Sequence, residues 1–176
     1  MALVFSRKVI ISTTMSKQNR IFLGKQRLDY EAEKYSDDVF YFFEHERRAG
    51  KEPRFGSYFF PAMIATCTDA KQRYFVNGQS GTPVLLDYKA TKLFSEMQRT
   101  FGGIKYRKDL WRKSKESKFP IGQCAEQHAA NDLLQKKNNK KTNLDIKAEI
   151  FFSKAIRPST GEVFDYCRNC KVLFDL

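Results

Sequence analysis

Hydrophobic and polar positions alternate with several different periods along the chain, and each period predicts an element. From Asp29 to Ala49, Val39, Phe40, Phe42 and Phe43 recur at roughly helical spacing. Acids cluster at the start of this stretch (Asp29, Glu31, Glu33), Arg47 and Arg48 lie at its end, and Gly50 stops it, which is the charge order a helix favours. Residues 58–66 form a nearly continuous apolar run, and 72–76 resume after a turn-like Thr68-Asp69-Ala70-Lys71, predicting a β-hairpin. The unbroken character of its first strand predicts burial on both faces, hence a sheet covered by helices. Asn77-Gly78 reads as the turn that ends the second strand. Asp87 is placed to cap a helix from Tyr88 to about Arg99, closed by Gly102-Gly103. After Pro120 and Gly122, the stretch Cys124 to Leu134 has the Ala and Leu content of a packed helix. Residues 146–156 then predict a third strand, and Cys167 opens a last short segment.

This order of elements predicts an α/β fold, a three-layer α/β/α sandwich around a minimal mixed sheet. The chain has 176 residues, 41% of them apolar, enough for one domain with a real core and too apolar for a disordered chain. No apolar run approaches the ~20 residues needed to span a bilayer. With 32 Lys+Arg against 20 Asp+Glu the net charge is +12, and it is unevenly placed. Residues 1–28 carry six cations and no acid, the composition of an organelle transit peptide or of a basic, disordered terminus. The expected organisation is therefore a basic extension over 1–28 and a domain over 29–176, with a helical, basic insertion at about 79–122. Residues 104–118 hold seven cations, two acids, Tyr106 and the single tryptophan, Trp111. Two readings stay open there. One is a single-strand nucleic-acid surface of stacking aromatics and phosphate-neutralising cations. The other is a solvated basic helix with Leu110 and Trp111 packed inward. A second basic run, Lys136 to Lys141, lies on the other side of the Cys124 helix.

Four cysteines occur, and their local grammar carries the chemistry. Cys124-Ala125-Glu126 opens one helix, and Cys167-Arg168-Asn169-Cys170 opens another, with its two thiols three residues apart on one face. Three soft sulfur ligands suit zinc and leave its fourth position for water. Glu126, two residues after a ligand, is near enough to move a proton. A rival arrangement uses His128, four residues after Cys124, to close a Cys3His structural site with no catalysis. Cys67 reads as a small core residue at the end of an apolar strand.

The set Cys124, Glu126, Cys167 and Cys170 resembles the signature of the cytidine deaminase superfamily: a Cys or His ligand, a Glu two residues on, and a later Pro-Cys-x-x-Cys. The wording Cys-Ala-Glu-Gln-His-Ala-Ala-Asn-Asp-Leu-Leu resembles bacterial toxin-type (polymorphic toxin) deaminases more than housekeeping nucleoside deaminases. The resemblance implies a hydrolase that deaminates cytosine in nucleic acid, with Cys124, Cys167 and Cys170 holding zinc and Glu126 relaying the proton. Adenine, guanine, and free nucleosides or nucleotides stay open as substrates, and the alternative is a non-catalytic, zinc-stabilised nucleic-acid-binding module. The implied partner is single-stranded DNA or RNA or a nucleotide. Zinc on free thiols implies a reducing, cytoplasmic compartment, with organelle import or toxin delivery compatible with the termini. Asn77 occupies a position where relatives contact the substrate sugar, although turn chemistry accounts for it equally well. Tyr166 stands where the signature has Pro. Only six residues follow Cys170, so the strands that relatives carry after this helix are expected to be absent.

Overall fold

The computed structural model describes residues 17–50, 61–80, 92–105, 107–115, 117–136 and 144–176. The expectations for residues 1–16, the strand start at 58–60, the Asp87 cap, Tyr106 and the basic run at 137–141 lie outside the described residues.

The first element is a 32-residue helix, α1 (Lys17–Arg48), longer than the Asp29–Ala49 expected. Asp29, Glu31 and Glu33 lie in its middle, where Arg27 and Glu31 make an i,i+4 pair at 4.0 Å. An acidic cluster is read as a helix start only when something upstream breaks the helix. Here only Gly24 intervenes, and α1 runs through it. Its buried stripe is Gly24, Leu28, Ala32, Ser36 and Val39, continued by the half-buried Phe43. That stripe leaves Phe42, expected inward, on the exposed side.

The hairpin is present as β1 (Ile64–Asp69) and β2 (Phe75–Gln79). All six residues of β1 are buried, as a strand covered on both faces should be. Alternation sends Ile64 into a cluster with Ala32, Val39 and Ile156. Cys67 joins the larger core with Val76, Leu93, Leu133 and Leu173. One face of the sheet is thus covered by α1. The other is covered by α3 (Ala125–Lys136) and α5 (Arg168–Phe174), with α2 (Lys92–Phe101) packed against both helices. Polar cross-links fix the α1 face: Thr66 Oγ1 donates to Asn77 Oδ1 at 2.6 Å, and Gln79 Nε2 donates to the Tyr35 hydroxyl at 2.5 Å.

Asn77-Gly78 is not a turn; both residues lie inside β2. Gly78 opposes Ala65 in the ladder, on the face toward α3. A Cβ there would lie 2.1 Å from the Ala125 carbonyl oxygen and 2.4 Å from the Ala129 amide nitrogen. The glycine is required by the close approach of α3 to the sheet. Ala125, Ala129 and Ala130 let the helix come that near, and nine of its twelve residues are buried.

The stretch expected as one strand at 146–156 is three elements. A one-turn helix, α4 (Ile146–Glu149), is capped by the Asp145 side chain. It leads into β3 (Ile150–Phe152) and then β4 (Ala155–Ile156). Ser153 interrupts the two: its amide donates to the Thr66 carbonyl at 2.9 Å and its Oγ accepts from the Thr66 amide at 2.9 Å. A tight loop with Gly161 at φ +70° then returns the chain as β5 (Val163–Phe164), which the periodicity did not show. Among the described residues the sheet has five strands where three were expected. Its order is β2-β1-β4-β5, with β3 also on β1. Every pairing is antiparallel, so the expected mixed sheet is corrected to an antiparallel one. Parallel pairing needs a crossover between neighbours, whereas β4 and β5 are joined by a short loop and α3 returns the chain to β1 in the opposite sense.

Between β2 and α3 the basic stretch is not one helix. A 3-10 turn spans Arg107–Trp111, and an extended, folded-back segment follows. Leu110 is fully buried as one reading required, but Trp111 is exposed. Among the described residues no helix is long and apolar enough to cross a membrane.

Candidate metal centre

Two helix starts bring the sulfurs together. Cys124 immediately precedes α3, and its carbonyl accepts from the amides of Gln127 and His128 at 3.1 and 3.2 Å. Cys167 is the N-cap of α5, in extended conformation, with its carbonyl accepting from the Lys171 amide at 3.0 Å. Cys170 follows within the first turn of α5 and is fully buried, together with Asn169, Leu173 and Phe174. Phe174 stacks against Phe152 at 4.6 Å between centroids, which docks α5 on β3.

The thiols of Cys124, Cys167 and Cys170 all lie within 4.8 Å of one another, and Cys124 Sγ is 3.0 Å from Cys167 Sγ. Tetrahedral zinc with bonds of ~2.3 Å places its sulfurs about 3.8 Å apart. Cys124 and Cys167 lie closer than that and all three sulfurs fall within one coordination sphere's span, so the three residues could hold a metal such as zinc once that pair opens by about 0.8 Å. No fourth His, Cys, Asp or Glu donor among the described residues joins the cluster. Hydrogen bonds from Cys124 and Cys170 hold the Cys167 thiol well below its ordinary range, while burial pushes Cys170 up. A thiolate at this point is the form that binds metal.

Glu126 lies in the first turn of α3 and is 3% exposed. Its Oε2 is 3.5 Å from Cys170 Sγ. Burial raises its carboxyl to about 7. The structure therefore brings all four sequence-nominated residues into one group.

It does not bring His128 there. The His128 Nε2 pairs with the Gly122 carbonyl at 3.1 Å, and burial lowers the imidazole to about 4, so the ring is neutral. One turn deeper in α3 than Cys124, it braces the loop entering the helix. Cys67 is likewise a core residue, wholly buried between Val76 and Phe152 in the ladder.

Several residues at the site were not nominated by the sequence. Gln123 and Gln127 flank the Cys-x-Glu motif, and their buried side-chain amides find no hydrogen-bond partner among the described residues. Asn169, inside the Cys-x-x-Cys motif, donates to the Phe119 carbonyl at 3.0 Å and bonds the Ser114 hydroxyl. Tyr166 donates its hydroxyl to the Phe152 carbonyl at 3.0 Å, under the ammonium of Lys154 4.3 Å from its ring. It thus pins the approach to α5 by contact, where a proline would do so by stiffness. Only their places beside the motifs marked these residues, since their partners lie far away in sequence. A cleft of about 700 Å³ opens between α1, β1 and β3 beside Tyr166, and its lining includes neither the thiols nor Glu126. Compared with known proteins, the chain matches no family model, no curated protein and no solved structure.

Proposed function

We propose that the protein is a zinc-dependent hydrolytic deaminase of the cytidine deaminase-like superfamily, acting on cytosine in nucleic acid. The observation that carries this reading is a buried carboxylate beside a three-thiol cluster, Glu126 Oε2 at 3.5 Å from Cys170 Sγ. A structural Cys3His site gives that carboxylate no work and needs His128, which is bonded to Gly122 instead.

Cys124, Cys167 and Cys170 would hold the ion. Zinc with three protein ligands supplies a water-derived nucleophile at neutral pH. Glu126, buried beside the thiols, would take up a proton at its carboxylate from the attacking water and return it to the departing amino group. The net reaction consumes one water, replaces the exocyclic amine by a carbonyl oxygen and releases ammonia. Burial of Glu126 excludes bulk water from the transfer. The order of elements also supports the reading, in that the Cys-x-Glu helix follows the β-hairpin by way of α2 and the 3-10 turn, and α4 and the three short strands β3, β4 and β5 separate it from the Cys-x-x-Cys helix.

The test is ammonia release from single-stranded DNA, RNA and free cytidine, with zinc content measured in parallel. Glu126→Gln should keep stoichiometric zinc and lose at least about 100-fold in rate, the scale of removing general acid–base catalysis. A fully active Glu126→Gln variant would refute the assignment.

A further inference from the structure

The segment between the 3-10 turn and α3 folds back on itself. The Leu110 carbonyl accepts from the Gly122 amide at 2.8 Å, and the Arg112 carbonyl accepts from the Ile121 amide at 3.1 Å. Lys113 and Pro120 then form an antiparallel bridge. One side of this loop is core: Leu110 and Ile121 are fully buried. Leu110 packs so closely that a Cβ on Gly122 would meet its own Cβ at 2.6 Å. The other side is in water. Trp111 is 43% and Phe119 51% exposed, and Lys113, Lys115 and Lys118 are exposed around them. None of the three lysines forms an ion pair with a described residue, whereas Arg112 is spent on the Gly102 and Phe101 carbonyls.

Both helices that carry the thiols anchor this loop. His128 of α3 holds it at the Gly122 carbonyl, two residues before Cys124. Asn169 of α5, between Cys167 and Cys170, holds it at the Phe119 and Pro120 carbonyls and at the Ser114 hydroxyl. Exposed aromatics among cations that pair with no described carboxylate, with the Lys118 ammonium 5.6 Å from the Phe119 ring centroid, mounted on the framework that carries the thiols, fit one class of partner. Unpaired bases offer π-faces for stacking, and their phosphates offer the complementary charge. A duplex keeps its base faces stacked inside.

We propose that the described residues 111–115 and 117–119 form a docking surface for single-stranded nucleic acid, with bases stacked on Trp111 and Phe119 and phosphates neutralised by Lys113, Lys115 and Lys118. The inference rests on the nucleic-acid part of the reading above and names the surface that recognises it.

Trp111 is the only tryptophan in the chain, so its emission reports on this loop alone. The full-length, zinc-loaded protein is titrated with a short mixed-sequence single-stranded oligonucleotide, with its duplex, and with free cytidine. The single strand should quench Trp111 and bind in preference to the duplex. By anisotropy of a labelled strand, Trp111→Ala should weaken binding about 5- to 150-fold, and Trp111→Phe should restore most of it. Replacing the three lysines by glutamine should remove about 2 from the slope of log affinity against log salt. Unchanged zinc content and melting temperature confirm that each variant is folded. The proposal is overturned if the strand binds without changing Trp111 emission. It is overturned equally if duplex binds as well, or if Trp111→Ala and Phe119→Ala bind like wild type. Quenching without ammonia release from any substrate supports the docking loop and removes the deaminase assignment. Deamination of free cytidine with no oligonucleotide binding does the reverse.

Discussion

Replacing Gly78 by alanine introduces a methyl group where α3 lies against the sheet. The new Cβ would sit 2.1 Å from the Ala125 carbonyl oxygen and 2.4 Å from the Ala129 amide nitrogen, whereas real Cβ atoms essentially never come within 3.0 Å. The helix or the strand must therefore yield by about 0.9 Å. Both obstacles are backbone atoms of a buried helix, so no side-chain rotation relieves them. Overpacking of this kind costs typically 1–3 kcal/mol, and the absence of a rotatable neighbour puts Gly78→Ala near the top, at about 3 kcal/mol. For a chain of this length that is about 6–12 °C in melting temperature. The displacement also reaches the candidate metal centre, because Cys124 immediately precedes α3. Zinc sites tolerate about 0.2 Å in ligand distance, so a shift several times larger should weaken zinc binding measurably. Urea unfolding of the zinc-loaded protein gives the first quantity, and competition with a chromophoric chelator gives the second. Ala129→Gly keeps the obstructing amide and should not rescue Gly78→Ala; the pair should be additive, at about 1 kcal/mol more. Unfolding within about 0.5 kcal/mol of wild type with unchanged zinc affinity would refute the reasoning, as would rescue by Ala129→Gly.

Zinc should be linked to stability: once free zinc exceeds the dissociation constant, each tenfold increase should add about 1.4 kcal/mol to unfolding. Cys170→Ser should abolish that dependence, and zinc-independent melting of the wild type would count against the metal centre. Asn169→Ala should cost about 1–3 kcal/mol, since it leaves the Phe119 carbonyl without its donor. Hydrogen exchange at the Ile121 and Gly122 amides should quicken in that variant, and unchanged protection there would show that Asn169 does not hold the loop.

The candidate metal ligands were legible because their chemistry is local. Cys167 and Cys170 are three apart at a helix start, a spacing that puts both on one face, and Cys124 and Glu126 are two apart at another, close in the chain although helical spacing alone does not make them face each other. Burial of β1 was readable only in part: the apolar run at 58–66 overlaps the strand at Ile64–Thr66, while Thr68 and Asp69, which read as a turn, are buried strand residues. That the two pairs meet was not local. Cys124 and Cys167 are 43 residues apart and reach 3.0 Å only because α3 and α5 pack on the same face of one sheet. Tertiary contact also decided between readings that spacing left equal. His128 shares a helical face with Cys124, yet a carbonyl at Gly122 claims its ring. Asn77-Gly78 has the composition of a turn, yet close approach by α3 makes the glycine a strand residue. Leu110 and Trp111 are neighbours of similar hydrophobicity, and the fold buries one and leaves the other in water. In each case residue type sets what a side chain can do, and only the atoms packed around it determine which of those things it does.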